Sequence, residues 1–292
     1  MRLSTQLATT VAALTLCLGS AAMAAPPTRI TAQVIGYGPD VILVTGLSSA
    51  ELTWGAEAAR LKDHYRLHLI QIAGFGGAAV GANDAGPVLA PVAAEIDAYI
   101  RDNRLQRPAV IGHSLGGLVA LELAAAHPKD VSRLMILDSL PFVGLQAGAT
   151  SAAQLEPQAA AVRAQLTAAP QAAYAATTPA TAAQMAASPA DQAKVAAAMA
   201  ASDHRTVADA LYDAMTSDLR PALAGLPMPV TVLYAAKSSA GLPQAASDAL
   251  YAKAYADVPH HSVQRVDGAA HFLMLDQPAA FDAAVQAFLA AK

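Results

Sequence analysis

Residues 109–118 read AVIGHSLGGL, a short apolar run of β type that breaks at Gly112-His113-Ser114-Leu115-Gly116 and gives way to an apolar helical pattern. A serine on so sharp a strand-to-helix turn sits in a strained backbone conformation, and the positions two before and two after it must be small. Both are glycine here, Gly112 and Gly116. The predicted strand (109–112) and helix (115–127) supply the context that separates this pattern from an ordinary glycine-rich turn. Ser114 is therefore the candidate nucleophile. A serine hydroxyl is weak alone, so it needs a histidine base and an acid to orient that base. The backbone N–H of Leu115, at the start of the helix, faces the place where an oxyanion would develop.

The strands around this turn alternate with helices, which argues for a mostly parallel sheet whose ligands gather at the carboxyl ends of its strands. Residues 29–35 alternate apolar and polar as an edge strand does, and 41–44 form a continuous β-branched and leucine run typical of a strand buried on both faces. That buried run ends in Thr45-Gly46-Leu47, where the N–H of Leu47 is the candidate second oxyanion donor and a plain turn is the alternative. A helix is expected over 51–63, with Trp54 as a packing residue. The strand at 66–72 runs into Ala73-Gly74-Phe75-Gly76-Gly77. This is neither a phosphate loop nor a dinucleotide turn, because no Lys-Ser/Thr follows and the glycine spacing is wrong. Phe75 is instead expected at the mouth of a pocket. Further on come a helix over 88–104, a strand over 132–137 ending in Asp138, a strand over 230–234, a helix over 244–256, a strand over 262–266 and a helix over 278–290.

Composition bounds the rest. Arg2, the apolar run Leu7–Leu18 and Ala22-Met23-Ala24 form a secretory signal pattern over 1–25, which makes the chain an exported one, periplasmic or secreted. That run is too short to span a bilayer, and no other reaches about 18 uninterrupted apolar residues. Cys17 is the sole cysteine, so the chain without its first 25 residues forms no disulfide and relies on its core for stability. A net charge of −4 with no basic run argues against nucleic acid or an anionic membrane as partner. Hydrophobic residues make up 55% of the chain and aromatics only 5%, so the excess is alanine, which signals helices. Alanine, glutamine, threonine and proline dominate 144–225, read as a helical lid inserted between two parts of the core, 26–143 and 226–292. Within it Ser188-Pro189-Ala190-Asp191 is a helix start, and Asp203 caps the next helix. The remaining histidines lack ligand-type spacing, so neither a metal nor any other cofactor is expected.

His271 lies on a loop after the last strand, in Gly268-Ala269-Ala270-His271-Phe272, where a base can reach across to Ser114. Together with Thr45-Gly46-Leu47, GHSLGG at 112–117 and Asp276-Gln277-Pro278, that block resembles the α/β-hydrolase superfamily, in particular lid-bearing serine esterases. The resemblance implies a twisted, mostly parallel sheet with helices on both faces. It further implies Ser114 as nucleophile, His271 as general base and acid, and the N–H groups of Leu47 and Leu115 as the oxyanion hole; Phe75 and Phe272 are the candidate substrate-binding residues. Two departures stand out. The loop that usually carries the acid, Ala235-Ala236-Lys237-Ser238-Ser239-Ala240-Gly241, holds no carboxylate. Some relatives take the acid from the end of the strand after the nucleophile, which here is Asp138, with Asp248 as the fallback. Thr45 replaces the histidine usual before the oxyanion glycine. The expected activity is hydrolysis of small to medium apolar carboxylic esters. An aminopeptidase-type amide hydrolase on the same triad and a non-catalytic binding protein for small molecules are the alternatives.

Overall fold

A computed structural model describes residues 28–237 and 241–291 of the chain. The secretory signal pattern over 1–25 lies outside the described residues, as do Ser238, Ser239 and Ala240 of the carboxylate-free loop.

Seven strands form one sheet: β1 (Ile30–Gly36), β2 (Asp40–Val44), β3 (Arg66–Ile72), β4 (Ala109–His113), β5 (Arg133–Leu137), β6 (Val230–Ala235) and β7 (His261–Val266). Their spatial order is β1-β3-β2-β4-β5-β6-β7. Only β1 runs antiparallel, pairing Ile30 with Ile72 at the sheet's edge; the other six are parallel. Exposed Val34 marks β1 as the half-solvated edge strand its alternation predicts. β2 and β4, at the centre, are buried almost throughout.

Ten helices accompany the strands among the described residues: α1 (Gly55–Leu61), α2 (Leu89–Asp102), α3 (Leu115–Ala126), α4 (Ala152–Ala168), α5 (Gln171–Met185), α6 (Pro189–Ala200), α7 (His204–Thr216), α8 (Gln244–Ala254), α9 (Leu273–Asp276) and α10 (Pro278–Ala290). They cover both faces, because alternate strand side chains point opposite ways. Ile42, Val44 and Val110 pack with Val92 and Ile96 of α2, Leu118 of α3 and Tyr251 of α8. Val41, Leu43 and Ile111 pack on the other face with Leu61 of α1 and Phe281 and Val285 of α10. Trp54 is fully buried in that second layer. The helix expected over 51–63 is shorter than its pattern: a single 3₁₀ turn covers Glu51–Trp54, and α1 starts at Gly55 and ends at Leu61. Glycine is a poor helix former, and the chain changes its turn there.

Between β5 and β6 the chain leaves the sheet for α4–α7. α4 packs on α7 and α5 on α6. Ser188 caps α6, its hydroxyl accepting the Asp191 N–H at 3.1 Å, and Asp203 caps α7 through the N–H groups of Arg205 and Thr206. Polar ties fasten α7 to the core. The Asp213 carboxylate accepts the N–H groups of Val88 and Leu89 at 2.6 and 3.0 Å, capping α2 from outside, and the Thr206 hydroxyl donates to the Asn83 carbonyl at 3.0 Å.

Candidate active site

Ser114 stands between β4 and α3 with φ 54° and ψ −119°, a conformation that L-residues rarely adopt. The turn closes because nothing projects from its flanks. A Cβ on Gly112 would come 2.2 Å from the Gly116 carbonyl oxygen, and one on Gly116 would come 2.5 Å from the carbonyls of Val44 and Thr45. Two backbone bonds fix the serine: its N–H donates to the Leu137 carbonyl at 2.9 Å, and its carbonyl accepts the Gly117 N–H at 2.9 Å. The first of these ties the nucleophile candidate to the residue just before Asp138.

Asp138 also has positive φ, 45°, at the end of β5. Its Oδ2 accepts a hydrogen bond from His271 Nδ1 at 2.7 Å, and its Oδ1 accepts one from the Ala235 N–H at 2.9 Å and one from the Tyr251 hydroxyl at 3.1 Å. Burial pushes the Asp138 carboxyl up, but the bond to His271, the imidazole charge and the Ala235 N–H outweigh it, so the group is held below the usual carboxylate range. The carboxylate fixes the tautomer of His271. With the proton on Nδ1, Nε2 is left as the basic atom. Asp248, the fallback, is engaged elsewhere, accepting from the Tyr234 hydroxyl at 2.8 Å and from Arg265 at 2.6 Å.

The loop carrying His271 is held on several sides. His113, next to the serine, donates through Nε2 to the His271 carbonyl at 3.0 Å, and its ring lies 4.7 Å from the His271 ring and 4.8 Å from that of Phe272. Burial, then the neighbouring His271, lowers the His113 pKa to about 3, so this second histidine stays neutral. The Asp276 carboxylate accepts the Ala270 N–H, and the Met185 carbonyl of α5 accepts the Phe272 N–H.

The Gly46 turn packs directly on the serine: a Cβ there would meet Ser114 Cβ and His113 Nδ1, each at 3.0 Å. Leu47 follows it, and Leu115 begins α3, whose first N–H groups have no acceptor within the helix. Beside this turn opens a cavity of about 420 Å³. Ser48, Ala50 and Gly76 form its core side, Phe272 its end next to His271, and Val195 and Ala198 of α6 its far wall. Ser114 and His271 are not among its lining residues, so the cavity adjoins the serine rather than containing it. Phe272 lines it. Phe75 does not: its ring is fully buried in the core, while its backbone carbonyl accepts from the Gln71 amide. The positive-φ turns at Gly74 and Gly76 carry the ring inward, away from the mouth that the loop's position suggested. Ser48, with φ 55°, shares a 3.0 Å hydrogen bond with the Tyr174 hydroxyl of α5, linking the inserted helices to the turn that bears Leu47.

Sequence reasoning passed over Tyr251, Tyr174 and the contacts of His113. A tyrosine in an alanine-rich helix gives no local signal of its partner. Among the described residues one trio, Asp97, His127 and Asp130, has metal-ligand proximity. It lies at the opposite end of α3 from Ser114, and the Arg101 guanidinium already contacts the Asp97 carboxylate.

With fold and geometry established, the comparisons give the class. The model of the alpha/beta hydrolase family matches residues 41–284, and the chain belongs to that family. The enol-lactonase of Burkholderia xenovorans LB400 is similar in structure, with a TM-score of 0.73, 19% identity, and coverage of 90% of this chain and 96% of that one. An esterase of Exiguobacterium antarcticum gives a TM-score of 0.74 at 18% identity, covering 90% and 96%. In sequence, the pimeloyl-[acyl-carrier protein] methyl ester esterase of Aeromonas salmonicida is 33% identical over 112 residues, 38% of this chain and 42% of that relative. The chain thus spans about two fifths of the length of the curated relatives it matches.

Proposed function

We propose that the chain is an exported serine hydrolase that cleaves carboxylic esters of small to medium apolar substrates through an acyl-enzyme. The observation that carries this reading is the Asp138–His271 pair, 2.7 Å across, with its histidine packed on His113, the residue just before a strained Ser114 at the head of a helix. In the reaction, His271 Nε2 takes the hydroxyl proton as Ser114 Oγ attacks the ester carbonyl. The oxyanion of the tetrahedral intermediate receives the N–H groups of Leu47 and Leu115. His271 then gives its proton to the leaving alkoxide, the C–O bond breaks and the acyl group stays on Ser114. Water, deprotonated by His271, attacks the acyl carbon; collapse returns the proton to Ser114 and frees the acid.

Esters are favoured over amides by the relatives' described activities and by the cavity. Its wall of alanine, valine, leucine and phenylalanine suits an apolar acyl or alkoxy group, and the charged side chain on its lining, Lys194, is a cation and cannot hold a substrate amine. In this reading α4–α7 act as the lid, and α6 sets how long a chain fits. Export rests on the charged, apolar and small-residue pattern of residues 1–25.

The test is hydrolysis of p-nitrophenyl esters from acetate to decanoate, with Ser114→Ala and Asp138→Asn alongside. We expect a chain-length optimum and a loss of about 10³-fold or more in kcat for either variant. Equal, background-level rates for wild type and Ser114→Ala on every ester would remove the reading. Activity surviving in Asp138→Asn alone would place the acid elsewhere.

A further inference from the structure

Asp138 offers two oxygens, and the reaction needs only Oδ2, which faces His271. Its Oδ1 faces the other way, toward β6 and α8. There it accepts the Ala235 N–H at 2.9 Å and the Tyr251 hydroxyl at 3.1 Å. The backbone donor belongs to the strand next door. The tyrosine is a side chain of α8, 113 residues away in sequence, and it is buried.

Tyr251 is held in place from the other side as well. Its ring stacks on Tyr234 with centroids 4.3 Å apart and planes 12° from parallel. Tyr234 donates in turn to Asp248, which accepts from Arg265. Stacked and enclosed, the Tyr251 ring has little rotational freedom, and its hydroxyl is directed at the carboxylate. Burial first, and the nearby Asp138 charge second, push its deprotonation well above the usual tyrosine range, so it remains a donor at any working pH.

From this juxtaposition of the Tyr251 hydroxyl, the Ala235 N–H and Asp138 Oδ1 we infer that Tyr251 is the positioning residue of the acid. It fixes the carboxylate plane and draws charge toward Oδ1, which sets the basicity of His271. The inference rests on the triad reading above. It explains how an acid moved to the end of β5, on a strained residue with φ 45°, is held in line with the histidine. A carboxylate bonded only to His271 would be free to rotate about its χ2 torsion, which is broad for aspartate. Two donors on Oδ1 remove that freedom. The titratable groups around the Asp138–His271 pair are His113 from β4, Tyr234 from β6, Tyr251 of α8, Tyr255, the residue that ends α8, and Asp276 of α9, which accepts the Ala270 N–H. Tyr255 donates to the Ser139 carbonyl at 2.8 Å rather than to the carboxylate, so it serves as an internal control.

The experiment compares wild type, Tyr251→Phe, Tyr255→Phe, Asp138→Asn and the double variant Tyr251→Phe/Asp138→Asn in two measurements. The first is ester hydrolysis against pH, with Ser114→Ala as the blank. For Tyr251→Phe we expect kcat to fall about 10-fold, as for loss of one hydrogen bond to a charged group, with KM nearly unchanged. The acid limb of kcat/KM should move upward by roughly half a pH unit, because the carboxylate regains charge on the side facing His271. In the Asp138→Asn background the same substitution should cost less than about 2-fold, since the tyrosine acts through the carboxylate. The second measurement is the NMR titration of the His271 ring, which needs no turnover: its midpoint should rise in Tyr251→Phe and stay in place in Tyr255→Phe. An unchanged midpoint and an unchanged kcat in Tyr251→Phe, with only a lower Tm, would assign the tyrosine to packing and overturn the inference. Absence of Ser114-dependent hydrolysis would strike the esterase reading alone, because the titration still decides whether Tyr251 tunes His271.

Discussion

At the scale of single residues the site depends on two side chains in backbone conformations that non-glycine residues seldom take, Ser114 and Asp138. Such strain, on the order of 1–3 kcal/mol each, persists only where neighbouring bonds over-determine the geometry. For Asp138 those bonds also make stability depend on pH. Its folded pKa is depressed below the unfolded value of about 3.9, so within that window the unfolded chain binds more protons. The stabilisation is present above about pH 4 and disappears as pH falls through the folded value. Urea midpoints of wild type and Asp138→Asn should therefore lie apart at pH 6 and approach each other as pH falls below the unfolded value of about 3.9 and through the folded one; a gap that stays constant would show that the carboxylate is not held in its charged form. Legibility in the sequence follows the same residues. The candidates Ser114 and His271 could be picked out because what marks them is local: glycines two positions away, and a position after a strand. Asp138, which the structure joins to His271, was a candidate only through a resemblance that allows more than one place for the acid. Tyr251 was invisible, since its partner lies 113 residues off and a tyrosine carries no mark of what it will touch. Phe75 shows the opposite failure. Its loop was placed correctly at a strand end, but side-chain direction is decided by the positive-φ glycines and by the core that the ring fills.

At the scale of elements, the core strands were readable one by one, whereas the insertion over 144–225 was readable as helical but its first two helices were not told apart. Strands such as 41–44 and 109–112 announce themselves because burial on both faces demands continuous apolar residues. In α4 and α5 alanine blurs the difference between inner and outer faces, and each helix contains a proline, Pro157 and Pro179, that would ordinarily mark a break. The caps were clearer, since Ser188 and Asp203 do what short acceptor side chains do at a helix start. The external cap on α2 was hidden. Asp213 reaches from α7 to satisfy the first N–H groups of a helix whose own preceding residue, Val88, offers no side-chain acceptor. We expect Asp213→Ala to lower stability by about 1–2 kcal/mol in urea unfolding, and Asp213→Asn to recover part of that. A loss under about 0.3 kcal/mol would mean that water replaces the cap without cost.

For the molecule as a whole, one sheet sets where everything else can be. The family fold, with β4 and β5 side by side and the inserted helices leaving just after β5, puts the cavity between the sheet's carboxyl edge and α6. The same scale holds the question of where the protein resides. If the first 25 residues are an export address, they take Cys17, the only cysteine, with them. Protein recovered from outside the cytoplasm should then start near Ala25 by intact mass and take up no maleimide even when denatured. One equivalent of label on that material would mean the segment is retained.

The placement of the proposed acid has a mechanical consequence. Ser114 and Asp138 are anchored on neighbouring strands, whose separation of about 4.8 Å is fixed by ladder hydrogen bonds. In the proposed triad two members therefore share one stiff beam, and the third, His271, rides on a loop held by the Asp138 carboxylate and His113 on that beam, by Asp276 of α9 and by the Met185 carbonyl of α5. One of these holds, Met185, belongs to the inserted helices. Tilting of those helices over the cavity would pull on the His271 loop through Met185 and on the Leu47 turn through the Tyr174–Ser48 bond, while the strands kept Ser114 and Asp138 at their spacing.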